Sequence, residues 1–236
     1  MGIKDHNGVW CVGEEKVAGV FENYYSKLFT SSNPSEFKEV TQHVGRVINE
    51  EMNKELIGDF NRGEVERALN QMAPLKTSDP DSMPPIFYQH YWKNIGDDVT
   101  KAVLFCLNTN KIPTGLNYTH LTLIPKVKNL VKVSDFRSIA LCNILYKIIS
   151  KVLANRLKKI MPCIISEFQS AFQSEKVILD NILVAFESLH HMKNKKTGKC
   201  GSMAMKLDMS KAYDRVEWEF LMKIMERMGF HSRWRG

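Results

Sequence analysis

Apolar residues recur at helical spacing along several stretches of the chain. Residues 16–30 place Val17, Val20, Phe21, Tyr24 and Leu28 on one face, and Ser31-Ser32-Asn33-Pro34-Ser35 then breaks the pattern. Residues 62–73 place Val65, Leu69 and Met72 likewise, with Asn61 as the expected cap. Residues 74–85 hold four of the eight prolines and read as a turn-rich loop. Asp97 or Asp98 is expected to cap a helix carrying Val99, Ala102, Val103 and Cys106. Residues 119–125, THLTLIP, read as a strand that stops at Pro125. The strongest periodicity is 143–161, where Ile144, Leu145, Ile148, Ile149, Val152, Leu153, Leu157 and Ile160 form an apolar face. Its only charges, Lys147, Lys151, Arg156, Lys158 and Lys159, predict an exposed basic stripe, and Pro162 is expected to end it. A further helix is predicted over about 178–193. Residues 202–209 alternate Met203, Met205 and Leu207 on one face and predict a strand. Trp218 to Met228 is helical again, with Gly229 suited to its C-cap. The first half is thus nearly all helical and the second α/β or α+β.

Composition adds a size and a charge asymmetry. At 236 residues, 44% hydrophobic and 25% charged, the chain has globular proportions, and about 150 residues per domain implies one or two domains. No apolar run approaches the roughly 18–20 residues of a membrane span, and the N-terminus has no apolar signal core. Cys11, Cys106, Cys142, Cys163 and Cys200 are scattered, with no C-x-x-C pair, and are expected to be reduced core thiols without disulfide partners in an intracellular protein. Residues 1–118 carry 12 Lys and Arg against 16 Asp and Glu, a net −4; residues 119–236 carry 21 against 10, a net +11. A polyanion partner therefore belongs on the second half. A basic surface that serves only solubility fits the same numbers.

The segment richest in chemistry is Leu207-Asp208-Met209-Ser210-Lys211-Ala212-Tyr213-Asp214. A carboxylate at a strand end suits a hard divalent cation. Spacing leaves two readings open: Asp208 and Asp214 near a metal, or as strand-end and helix-cap residues. Two-metal phosphoryl transfer needs several carboxylates.

The stretches LTLIPKVKNLVKVSDFRSIALCNILYKIISKVLANRLKKIMPCIISEFQSAF, DNILVAFESLHHMKNKKTGK and MAMKLDMSKAYDRVEWEFLMKIMERMGF closely resemble the reverse transcriptase of plant LINE-type (non-LTR) retrotransposons. The resemblance is nearly continuous from Gln71 to Gly229, and GVWCVGEEKVAGVFENYYSKLFTS resembles the linker between endonuclease and polymerase in such elements. It implies an α+β chain: a helical linker region over 1–70, then part of a right-hand polymerase over 71–236, with fingers to about 200 and the first strand and helix of the palm from about 201. The implied activity is copying RNA into DNA, with an RNA template, a DNA primer, deoxynucleoside triphosphates and Mg²⁺ or Mn²⁺, in the nucleus or cytoplasm. By resemblance Asp208 is the catalytic, metal-binding palm aspartate, and the Met209 backbone assists it. Lys126 and Arg137, in LIPK and DFR, hold the triphosphate, as a point charge and a forked donor respectively. Lys211 and Ala212 lie beside the nucleotide, and Tyr213 is the bulky residue that excludes a ribose 2′-OH. Gln169, Ser170 and Phe172 border the template, with Lys147 and Lys151 on the same path.

The chain departs from that pattern. The family's K-x-P-G-P-D-G is Lys76-Thr77-Ser78-Asp79-Pro80-Asp81-Ser82 here, without either glycine. F-R-P-I is Phe136-Arg137-Ser138-Ile139, and V-P-G-R is Gln173-Ser174-Glu175-Lys176. Asp97-Asp98 is the only Asp-Asp pair, and it lies far upstream of Asp208. The expectation is a chain that stops before the paired palm aspartates and the thumb and does not polymerise alone. The alternative is a non-catalytic RNA- or DNA-binding remnant of the fingers.

Overall fold

The structure, a computed structural model, describes residues 2–76, 83–171, 176–195 and 203–235. It opens with an antiparallel hairpin, β1 (Gly2–Lys4) and β2 (Trp10–Val12), in which Ile3 faces Cys11. Helices follow: α1 (Glu14–Phe29), α2 (Lys38–Thr41), α3 (Glu50–Ile57), α4 (Arg62–Asn70), α5 (Pro85–His90) and α6 (Trp92–Thr109). A second hairpin pairs β3 (Thr119–Pro125) with β4 (Phe136–Cys142), Thr119 opposite Cys142 and Pro125 opposite Phe136. Then come α7 (Ile144–Ile164), α8 (Ile178–Asn194), α9 (Trp218–Met228) and α10 (Ser232–Arg235). This mixture of helices and small sheets agrees with the expected α+β class.

Three apolar clusters hold these elements. The largest joins α4, α6 and α7 through Val65, Leu69, Val103, Leu107, Ile148 and Val152. A second joins β1, α1 and β4 around Ile3, Tyr25, Val133 and Phe136. A third packs Leu56, Ile160, Ile48 and Phe230 where α3, α7 and the end of α9 meet. Gly229 closes α9 in the left-handed region at φ 95°. A Cβ there would lie 2.9 Å from Arg46 Cγ and 3.0 Å from the Ile48 carbonyl, so both conformation and space favour glycine.

Arg156 ties α7 to the two helices before it. The series Ile149, Val152, Arg156, Ile160 puts its guanidinium on the buried face, and the residue is 7% exposed. Nε and Nη2 donate to the Glu64 carboxylate at 2.7 and 2.9 Å. Nη1 donates to the carbonyls of Leu56 and Gly58 at 2.8 and 2.6 Å, and Nη2 also to that of Asp59 at 2.9 Å. These carbonyls lie at the C-terminal end of α3, where helix geometry leaves acceptors unsatisfied. The Phe60 ring lies 3.6 Å from the guanidinium carbon. Glu64 also completes a capping box with Asn61 at the start of α4.

Several expectations are corrected. Arg156 does not belong to an exposed basic stripe, because five acceptor contacts and a ring compensate its burial; Lys147 and Lys151 are half-buried, and Lys158 and Lys159 are exposed. Pro162 does not end α7, which runs on to Ile164: in the final turn a proline removes one hydrogen bond and little else. Asp97 and Asp98 do not cap a helix, because α6 already starts at Trp92; Asp97 pairs instead with Arg62 on α4. No strand forms over 203–209, where Met203, Met205, Leu207 and Met209 are all exposed. Alternation defines two faces, but a strand also needs a partner for its backbone, and among the described residues β1–β2 and β3–β4 pair only with each other within their sheets. Of the cysteines expected in the core, Cys106 is buried and Cys163 is exposed.

The Arg156 guanidinium holds the Glu64 carboxyl below its ordinary range, against an opposing effect of burial. A depressed carboxyl contributes stability that is complete above its unfolded value, near 4.3, and lost as pH falls through the folded value. Arg156→Met is expected to cost about 3–5 kcal/mol in urea unfolding, because it strands a half-buried carboxylate and three carbonyls. Lys158→Met should change stability by less than about 0.5 kcal/mol. In Glu64→Gln the loss of stability on acidification below about pH 4.3 should be shallower than in the unaltered chain, read from urea midpoints at stepped pH.

Candidate nucleotide and nucleic-acid site

The β3–β4 hairpin carries the two candidate triphosphate cations. Phe136 and Pro125 form one cross-strand pair, and Phe136 points into the core, where it meets Phe21 edge-on at 5.2 Å between ring centroids. Alternation then puts Arg137, opposite Ile124, on the outer face, where it is exposed. Lys126 follows the last strand residue. Its backbone N–H donates to the Asp135 carbonyl at 2.8 Å and its ammonium to the Ser134 carbonyl at 3.0 Å. Asp135 does not pair with Arg137 among the described contacts. Its carboxylate accepts the Val131 and Lys132 backbone N–H groups, each at 3.0 Å, and these hold it below the ordinary carboxyl range. Arg137 is thereby left to face solvent.

The second half of the site is a turn. Lys211 takes a left-handed backbone at φ 54°, which costs an L-residue about 1–2 kcal/mol. The Asp214 and Arg215 N–H groups donate to the Lys211 and Ala212 carbonyls at 3.1 and 3.3 Å, and Tyr213–Arg215 forms a single 3₁₀ turn. Tyr213 is 78% exposed. The Lys211 ammonium lies 4.9 and 4.8 Å from the ring centroids of Tyr24 and Tyr25 on α1. Farther on, Glu217 accepts the hydroxyls of Ser31 and Ser32 at 2.6 and 2.7 Å and the Ser32 N–H at 3.0 Å. These bonds hold the Glu217 carboxyl below its ordinary range.

A cleft of about 1280 Å³ brings the hairpin and the turn together. One wall is Lys132–Ser134 of the hairpin loop, another is Tyr213–Trp218, and α1 with the end of β1 closes the rest. Lys4, Lys16, Lys27, Lys132 and Arg215 line it against Asp5, Asp214 and Glu217, so cations predominate. Periodicity identified α1 only as an amphipathic helix. The signal that marks it as part of a site is the adjacent pair Tyr24-Tyr25 with Lys27 one turn from Asn23 on the same polar side.

Of the candidate residues only Tyr213 lines this cleft; Lys126, Arg137, Lys211 and Ala212 are not among its lining residues, and the remaining candidates lie elsewhere. Asp208 and Met209 sit exposed in the irregular segment before the turn. Among the described residues no three His, Cys, Asp or Glu side chains come together as metal ligands. Gln169 and Ser170 follow α7 in a turn: the Gln169 N–H donates to the Ser166 carbonyl at 3.0 Å, and Ser170 accepts from the Asn181 side chain on α8. Lys147 and Lys151 are on α7. Phe172, residues 77–82 of the loop that lacks the two glycines, Gln173 to Glu175 and residues 196–199 of the basic turn lie outside the described residues.

Residues 124–235 match the reverse transcriptase (RNA-dependent DNA polymerase) family. Over 217 residues, 91% of its length, the chain is 26% identical to a Xenopus laevis protein, the transposon TX1 uncharacterized 149 kDa protein. It spans 16% of that relative. The matched stretch begins just before Pro125-Lys126, includes Arg137, Asp208 and Tyr213, and ends in α10. Residues 124–235 are therefore similar to the reverse transcriptase family, whose chemistry depends on divalent metal ions, and the relative that extends the similarity over most of the chain is a transposon protein.

Proposed function

We propose that the chain is the fingers and the start of the palm of an RNA-directed DNA polymerase of a non-LTR retrotransposon of the plant LINE type. The observation that carries this reading is the match over 124–235, which contains every candidate nucleotide-contacting residue in the expected order. Residues 1–70, a hairpin followed by helices, precede the polymerase; residues 71–200 are fingers and 201–236 palm. The partners are an RNA template, a DNA primer and deoxynucleoside triphosphates, in the nucleus or cytoplasm. Among the described residues no helix is long and apolar enough to cross a membrane.

Lys126 and Arg137 hold the triphosphate, Arg137 through its outward guanidinium. Tyr213 sets an aromatic face against the sugar, which leaves no room for a 2′-oxygen. Lys211 and Ala212 shape the turn beneath it. Gln169, Ser170 and Phe172 border the template, and Lys147 and Lys151 add positive charge along it. Asp208 and the Met209 carbonyl are the palm's metal-facing groups, with Mg²⁺ or Mn²⁺ as the ion. The exposed, unsupported position of Asp208 favours a second reading for this polypeptide taken alone, binding of RNA without catalysis.

RNA binding is expected to be modest and indifferent to sequence. About five phosphate contacts would give a log–log salt slope near −3.5 on single strands, read by fluorescence anisotropy. No binding at low salt, or binding that salt does not weaken, would remove the nucleic-acid reading. Arg137→Ala should weaken deoxynucleoside triphosphate binding about tenfold, the loss of one charge-assisted contact, in equilibrium dialysis. The 236-residue chain alone is expected to extend no primer on an RNA template with Mg²⁺ or Mn²⁺. Extension that vanishes in Asp208→Ala would show that these residues suffice for catalysis.

A further inference from the structure

Helix α1 touches both halves of the candidate site. Phe21 packs edge-on against Phe136, the residue beside Arg137 on β4. One turn farther along the helix, Tyr24 and Tyr25 face the Lys211 ammonium. Past its C-terminal end, Ser31 and Ser32 grip Glu217. Lys211 and Glu217 bracket Tyr213, so the turn is pinned on both sides, and Tyr213, which lines the cleft and is exposed, lies between the two pins. A helix is stiff over four turns. The separation between the strand that carries Arg137 and the turn that carries Tyr213 is therefore set by one rigid rod.

The Lys211 contact is also an odd way to hold a turn if stability were its only purpose. The ammonium is shielded from solvent and finds no hydrogen-bond acceptor, and the backbone beneath it is left-handed. A buried cation without an acceptor is unfavourable unless ring faces compensate it. Glycine would relieve the backbone and an apolar side chain would fill the space between the rings. What lysine adds is direction: a cation centred over two aromatic faces fixes where the turn begins.

We propose that Tyr24, Tyr25, Ser31 and Ser32 are positioning residues for the Ala212–Tyr213 turn, so that α1 is a structural part of the nucleotide site and not a spacer ahead of it. This rests on the reading of Tyr213 as the residue that meets the nucleotide's sugar. Through α1, the phosphate-binding and sugar-sensing parts of the site keep a constant spacing, and discrimination against a 2′-OH depends on residues some 190 positions upstream of the tyrosine that performs it.

The test uses the whole chain and the variants Lys211→Met, Lys211→Arg, Tyr213→Ala and the double variant Ser31→Ala/Ser32→Ala. Two quantities are read: hydrogen exchange at the Asp214, Arg215 and Ser32 amides, and the ratio of dCTP to CTP affinity in equilibrium dialysis. Loss of a shielded cation–π contact should speed exchange at Asp214 and Arg215 about five- to thirtyfold in Lys211→Met, with α4 and α7 amides unchanged. The preference for dCTP should fall by a similar factor, and Lys211→Arg should restore both. The serine double variant should free the Ser32 amide and lower the preference as well. Unchanged exchange and preference in Lys211→Met would overturn the proposal. So would faster exchange with the preference intact, since the contact would then be merely structural. An unaltered chain that binds dCTP and CTP alike, or a preference that survives in Tyr213→Ala, would instead sink the reading of Tyr213, and the positioning proposal with it.

Discussion

The helical part of the molecule depends on burying one charge. Arg156 spends all five guanidinium donors inside the protein: two on Glu64 and three on the carbonyls of Leu56, Gly58 and Asp59, at and just past the end of α3. Because Glu64 also caps α4, a single side chain from α7 completes the end of one helix and braces the beginning of the next. Removing any one partner leaves another buried and unpaired, so the arrangement behaves as a unit. It also fixes where α7 lies, and α7 follows directly on β4, the strand that presents Arg137.

The site is built differently from the core that supports it. Its two halves come from a hairpin and a turn more than 70 residues apart in sequence. They meet across a cleft whose remaining walls belong to the N-terminal hairpin and α1. Cations outnumber carboxylates along it, and tyrosines and a tryptophan are interleaved with them, the combination that suits a phosphate chain bearing stackable bases. Asp208, by contrast, stands exposed in an irregular segment, and among the described residues no three metal-ligating side chains come together.

Local pattern was a good guide wherever one element could satisfy itself. The helices α1, α4, α7, α8 and α9, the strand β3, the Asn61 cap and the Gly229 stop were all legible, because periodicity, capping chemistry and a glycine's freedom act over a few neighbouring residues. The family was legible for a related reason: its motifs are long contiguous strings around Lys126, Arg137 and Asp208, and the match over 124–235 follows them.

Tertiary structure decided whatever depends on a partner distant in sequence. A period of two over 203–209 indicated a strand, but strand formation needs a neighbouring edge, and none is supplied to that segment. Helical spacing put Arg156 among the residues facing the core, yet its charge made it look like part of a solvated stripe; only Glu64 and the α3 carbonyls, roughly 90–100 positions away, make the buried position tolerable. Likewise nothing within 211–217 announces that Tyr24, Tyr25, Ser31 and Ser32 would hold it, because hydrogen bonds and ring contacts across 185 residues leave no local trace. The sequence by itself determined the helices, the caps and the resemblance to reverse transcriptases, since those rest on short-range geometry and contiguous motifs. Which charges are buried, which strands pair and which helix holds the candidate nucleotide turn were settled only when distant segments packed, since each is a property of pairs of residues and not of either residue alone.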